Sequence, residues 1–168
     1  MPEKSLEELR EMVGTSKVTV EDLHVEAGKV EEFARSIRDD SELYRSEEAA
    51  AERGFDGIPA PLTFTRVHMF PRYCPPERRD EKRRGFDLGF DRGRTVHGEQ
   101  EYEYERPVTV GDTLTGTQTL VDVYQKEGGR GGQMTFAELE IEYRNQDDEL
   151  VLTERRTRIE TAESEEDD

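Results

Sequence analysis

The stretch whose residue types point most directly at chemistry is 55–70, FDGIPAPLTFTRVHMF. Asp56-Gly57 signals a turn, Pro59 and Pro61 end whatever precedes them, and Pro61 suits the first position of a helix, where its missing N–H costs nothing. Leu62, Phe64, Thr65, Val67, His68 and Met69 follow, apolar around most of the circumference, until Pro71. A helix with so little polar surface is expected to be buried, its first N–H groups left for a negative or polarised oxygen. A second feature lies in the irregular stretch 71–94, where Arg78, Arg79, Lys82, Arg83 and Arg84 cluster. Guanidinium forks suit the phosphates of a nucleotide-like carrier; a solvated loop is the equally open reading. His24, His68 and His97 are too scattered to make a metal-ligand motif, so no metal is expected. No dinucleotide-binding, P-loop, nucleophile-elbow or H-E-x-x-H signature is present.

Composition narrows the class. The chain has 168 residues, with Lys+Arg 24 against Asp+Glu 41, a net charge of −17. One domain with a real core is the expectation at this length. So acidic a chain argues against nucleic acid or an anionic membrane as partner, because both need a basic face. Two readings of the acidity stay open, adaptation to molar salt and an ordinary solvated surface. Cys74 is the single cysteine, which excludes an internal disulfide. Without a signal-like or membrane-length apolar run, the expected compartment is the cytoplasm.

Stepping outward along the chain, SLEELREMV reads as a helix capped by Ser5 and stopped by Gly14. Val18 to Val25 holds a short strand, and Ala27 to Arg38 a second helix with Val30, Phe33, Ala34 and Ile37 on one face. Ser46 opens a third helix closed by Gly54. From Thr95 the period becomes two. Val96, Gly98, Gln100, Tyr102 and Tyr104 alternate with His97, Glu99, Glu101, Glu103 and Glu105, which puts His97 and Gln100 on opposite faces. Leu114 to Gln125, Gln133 to Arg144 and Glu149 to Thr161 supply three further strands. The tail AESEEDD is too charged to fold.

EEFARSIRDDSELY, AAAERGFDGIPAPLTF and above all HGEQEYEYERPVTVGDTL, in that order over roughly residues 20–160, resemble the MaoC-like hydratases and dehydratases. The match is to their N-terminal, fatty-acid-synthase-type dehydratase half, which has the hot-dog fold. The resemblance implies an α+β chain, a single hot-dog unit whose antiparallel sheet wraps a central helix starting near Pro61, after a helical N-terminal third. Residues 1–19 would be an N-terminal helix and linker, 20–161 the hot-dog domain and 162–168 a disordered acidic tail.

It further implies action on acyl thioesters of coenzyme A or acyl carrier protein, with no cofactor, in a homodimer or a heterodimer with a MaoC-like hot-dog subunit. Related catalytic domains use an Asp and a His five residues apart, with an amide N–H at the start of the hot-dog helix. Aligned on RDDSELY, Asp39 takes the acidic position and Tyr44 the place of the histidine. A phenol titrates near ~10 and does not replace an imidazole at neutral pH. Pro61, Leu62 and Phe64 at the helix start, with Gln100 and His97 on the family-like strand, make the implied oxyanion and substrate-binding set, and Arg78, Arg79, Arg83 and Arg84 the carrier-phosphate set.

The function so implied is a subunit or half-domain of an (R)-specific enoyl-CoA hydratase or 3-hydroxyacyl-thioester dehydratase. It would shape the acyl tunnel while a partner supplies the catalytic Asp/His pair. A non-catalytic acyl-thioester binding protein and a hot-dog thioesterase using Asp39 or Glu48 are the alternatives.

If the charge of −17 is an adaptation to salt, unscreened repulsion should destabilise the fold at low ionic strength. The melting temperature is expected to fall steadily from molar to millimolar KCl, and a flat profile favours the ordinary-surface reading.

Overall fold

The computed structural model describes residues 2–70, 85–128 and 132–162. Cys74 and the cluster Arg78, Arg79, Lys82, Arg83 and Arg84 lie outside them, as does most of the acidic tail. Helix α1 (Leu6–Glu11) starts where its sequence says it should, because Ser5 and Glu8 cap each other reciprocally. Leu9 on α1 is fully buried, and the expected boundary at residues 19 and 20 falls inside strand β1 (Ser16–His24). Helix α1 packs on the sheet through Leu9, and β1 begins at Ser16.

Helix α2 (Ala27–Ser36) buries Val30, Phe33 and Ala34; Ile37, expected on that face, lies past the helix end and is half-exposed. A 3-10 turn, Glu42–Tyr44, precedes α3 (Glu47–Glu52), which is capped by the Ser46 hydroxyl accepting from the Ala49 N–H at 3.2 Å. Strands β2 (Thr95–Tyr104), β3 (Thr113–Glu127), β4 (Gln133–Arg144) and β5 (Leu150–Glu160) complete an antiparallel five-stranded sheet in the order β1-β3-β4-β5-β2. This is the hot-dog architecture, a long sheet around one central element.

That central element is a six-residue 3-10 helix, Phe64–Met69, three residues beyond Pro61. A helix starting near Pro61 was the expectation, and the helix found is of the 3-10 kind. Thr63, Thr65 and Val67 are β-branched, the N-cap makes no side-chain bond, and Pro71 follows too soon for an α-helix to propagate. Phe64, Thr65 and Val67 are buried, with the Phe64 ring edge-on to Phe33 at 5.7 Å. Leu62, Met69 and Phe70 are exposed, so the apolar circumference is only half used.

The approach to this helix is held by the turn after β2. Ala60 N–H donates to the Val108 carbonyl at 2.7 Å and Val110 N–H to the Ile58 carbonyl at 2.9 Å, a short antiparallel bridge between 58–60 and 108–110. Asp112 locks that turn. Its two oxygens accept from Arg106 at 2.8 and 2.9 Å, and one also accepts from the Thr109 N–H at 2.9 Å. Gly111, at φ +101°, makes the bend in a region closed to most side chains. Burial pushes the Asp112 carboxyl up, but the Arg106 and Thr109 hydrogen bonds outweigh it and hold the group below its ordinary value.

A carboxylate depressed in the folded state stabilises fully above its unfolded value near ~4 and loses that contribution as pH falls through the folded value. Asp112→Asn should therefore cost about 2 kcal/mol at pH 7, in the range of hydrogen bonds to a charged group. In urea unfolding, the gap between wild type and variant should close below pH ~4.

Candidate functional site

Three pieces of chain meet the central helix: the segment after α2, the Pro61 turn, and the inner face of β5 and β2. The first carries Asp39 and Tyr44. Arg38 turns the chain at φ +61°, and the Asp39 N–H donates to the Ala34 carbonyl at 2.9 Å. The Asp39 carboxylate accepts from the Ser41 N–H at 3.0 Å, and the Ser41 hydroxyl accepts from the Leu43 N–H at 3.3 Å. This pair of short caps delivers Tyr44 back to its neighbour. Burial, followed by the charge of Asp39 and a hydrogen bond to it, raises the Tyr44 phenol above its ordinary value. At neutral pH the phenol keeps its proton, so it can donate a hydrogen bond and cannot act as a base.

Tyr44 and Tyr104 both pack against the core containing Ala60 and Phe64, the residues that flank the Pro61–Thr63 turn. The Tyr104 hydroxyl donates to the Leu62 carbonyl, which fixes the turn while the Leu62 side chain stays 70% exposed. Pro61 is buried beside it. Glu48, by contrast, is exposed on the first turn of α3.

The inner face of the sheet follows from cross-strand register, since directly paired residues point the same way. One row runs Gly116, Tyr143, Leu152, Tyr104, and the next Gln118, Ile141, Glu154, Tyr102. The following rows are Leu120, Leu139, Arg156, Gln100 and Val123, Ala137, Arg158, His97. His97 and Gln100 thus share a face, against the alternation of the sequence. A bulge between His97 and Glu99 shifts the register, and Gly98 permits it, because a Cβ there would come 2.7 Å from Ile159. His97 is nevertheless exposed, whereas Gln100 is half-buried and donates to Glu154 at 3.0 Å and to the Tyr102 hydroxyl.

Glu154 was not singled out by its sequence. It has no exposed surface and sits under the central helix, accepting from Gln100 and from the Tyr143 hydroxyl at 3.2 Å, with Arg66 Nη1 at 3.6 Å and Arg156 Nη1 at 3.7 Å. Burial and then the Glu154 charge push Tyr102 up to about 12. Both phenols near this carboxylate are donors at any working pH. Among the described residues no group of three His, Cys, Asp or Glu is gathered as metal ligands, and no helix is long and apolar enough to cross a membrane.

The model of the FAS1-like, dehydratase domain region matches residues 11–154. A UPF0336 protein of Thermobifida fusca is 32% identical over 132 residues, 79% of this chain and 81% of that protein. One from Tropheryma whipplei is 30% identical over 142 residues, 83% and 93% of the two chains. Among solved structures, a chain of the C-terminally truncated HadBC (3R-hydroxyacyl-ACP dehydratase) complex from Mycobacterium tuberculosis is similar at 26% identity and TM-score 0.65, covering 88% of this chain and 96% of that one. The ChsH1-ChsH2 complex from the same organism matches at 18% identity and TM-score 0.72, over 96% and 92%, a likeness of fold.

His68 offers a pH test of the central helix. Burial lowers its pKa to about 4, against the opposing hydrogen bond from Nδ1 to the Thr65 carbonyl at 2.6 Å. The unfolded imidazole takes a proton near ~6.5 and the folded one does not, so stability is expected to fall as pH drops from there to about 4, by up to roughly 3 kcal/mol. Denaturant unfolding of His68→Gln at pH 7, 5.5 and 4.5 should show that slope flattened.

Proposed function

The chain belongs to the FAS1-like dehydratase-region family, and from that membership we propose that it is the non-catalytic half of an (R)-specific enoyl-thioester hydratase or 3-hydroxyacyl-thioester dehydratase. The carrier is coenzyme A or acyl carrier protein. A partner hot-dog subunit of MaoC-like type supplies the acid/base pair, and this chain shapes the acyl site. The acidic surface suits work in a salt-rich cytoplasm.

The observation that carries the reading is Tyr44 beside Asp39. Adding water across an enoyl thioester needs a group to activate the water at Cβ, one to handle the proton at Cα, and donors for the enolate-like oxygen. We place that oxygen at the Pro61–Phe64 turn, whose Leu62 carbonyl accepts from Tyr104. The dyad position retains the carboxylate but holds a phenol with a raised pKa where an imidazole would shuttle the proton. Substrate positioning survives such a change better than proton transfer does. The edge strand β2 and the exposed Leu62, Met69 and Phe70 give a hot-dog partner a surface to meet.

The test is hydration of crotonyl-CoA by the chain alone and after co-expression with a MaoC-like partner. The chain alone should fall far below the ~10 per second typical of enzymes, and the complex should reach it. Asp39→Asn should cost the complex less than the ~100-fold loss that follows removal of a working acid/base group. A lone chain at enzyme-like rates, abolished by Asp39→Asn, would make it a hydratase in its own right. Acyl-CoA hydrolysis lost on removing Asp39 or Glu48 would make it a thioesterase.

A further inference from the structure

The inner face of the sheet divides according to what covers it. The rows of Tyr143 and Ile141 lie under the central helix and α2, in one apolar cluster. Leu120, Val123, Ala137 and Leu139 lie under α1 and Leu88, in a second. The remaining quarter, on β5 and β2, holds Arg156, Gln100, Arg158 and His97 and belongs to neither. Arg156 and Arg158 come from alternate positions of LTERRTRIE, between the buried Glu154 and Glu160 of the same parity, an inward stripe of charge on a strand that would ordinarily present apolar groups to the core.

Two buried carboxylates border that quarter, and Glu160 pairs through Oε1 with Arg94 at 3.1 Å, which leaves Glu154 as the carboxylate nearest Arg66 and Arg156. Glu154 already accepts from Gln100 and Tyr143, both neutral donors. Arg66 and Arg156 stand 3.6 and 3.7 Å from it, near enough to feel its charge and too far to hydrogen-bond. Arg66 Nη1 and Arg156 Nε are buried without a hydrogen-bond partner. Arg158, next along the same face, makes no ion pair among the described residues, and Arg156 retains only 12% of its side-chain exposure. Arg66, at 28%, leads from the stripe to solvent. A buried guanidinium donor without an acceptor is costly, and two of them, on Arg66 and Arg156, stand near one carboxylate here, with Arg158 next to Arg156 on the same strand face.

We propose that Arg66, Arg156 and Arg158 form a subsite for one anionic oxygen group, a carboxylate or a phosphate, on the acyl-thioester ligand. The proposal rests on reading the chain as an acyl-thioester binder, and names the chemistry that reading leaves open. Planar guanidinium forks fit either anion, which would supply the acceptors that Glu154 does not. Two sources exist: a carboxylate at the far end of the acyl group, or a phosphate of the carrier.

Titration calorimetry on the full chain separates them, using butyryl-CoA, succinyl-CoA and the butyryl and succinyl thioesters of pantetheine. A carboxylate source predicts that succinyl-pantetheine binds about tenfold or more tighter than butyryl-pantetheine, as loss of a charge-assisted hydrogen bond would give. A phosphate source predicts the same factor between butyryl-CoA and butyryl-pantetheine. In either case Arg156→Gln and Arg158→Gln should erase the preference, and Arg158→Gln, at the less buried position, decides if Arg156→Gln does not fold. Thioesters that bind with neither preference, or preferences that both variants leave intact, would overturn the subsite alone. Failure of every thioester to bind would overturn the functional reading and the subsite with it.

Discussion

Everything under the central helix is arranged around one fully buried carboxylate, Glu154. An ionised group without solvent is tolerated only where hydrogen bonds and opposite charge replace water. Tyr143 and Gln100 provide the hydrogen bonds, and Arg66 and Arg156 the charge. Those partners come from β4, β2, the central helix and β5, so the same carboxylate ties three strands to the helix they wrap. The Gln100 amide continues to Tyr102, whose ring stacks on Tyr104, and Tyr104 bonds the Leu62 carbonyl. A chain of contacts thereby runs from the middle of the core to the Pro61–Phe64 turn.

The turn is fixed a second time from the other side. Asp112 and Arg106 close the loop that bridges 58–60, and the Asp39–Ser41 caps set Tyr44 against the same core. At the position aligned with the family's histidine this surround holds a phenol. A phenol held by a carboxylate with raised pKa is a hydrogen-bond donor, suited to orienting a ligand. The proposed division of labour between a binding half and a catalytic half rests on that single residue type at position 44.

Much of the architecture was legible because local signals agreed with the fold. Ser5 with Gly14, Ser46 with Gly54, and the period-two runs place α1, α3 and four strands within a residue or two of where they lie. The central helix was legible from its apolar run, though not its 3-10 form, which β-branching and a nearby proline favour. The face of His97 misled, because alternation carries across a strand only when no bulge interrupts it, and Gly98 allows one. Glu154, Arg156 and Arg158 were invisible as a site because LTERRTRIE is polar at both parities. Hydrophobic alternation then cannot say which face is inward. Asp39 and Tyr44 stood out only through the family pattern; the Asp39 charge is felt at the Tyr44 phenol.

The account stands or falls on whether Tyr44 takes part in proton transfer. The most direct measurement is the pH–rate profile for enoyl-thioester hydration by the assembled complex, in wild type and in Tyr44→Phe. Superimposable limbs, with at most a modest change in KM, are the predicted result, because a phenol that only orients ligand adds no ionisation to the profile. A Tyr44→Phe complex that loses one limb of the profile, or about 100-fold or more in kcat, would contradict it and return the chemistry to this chain.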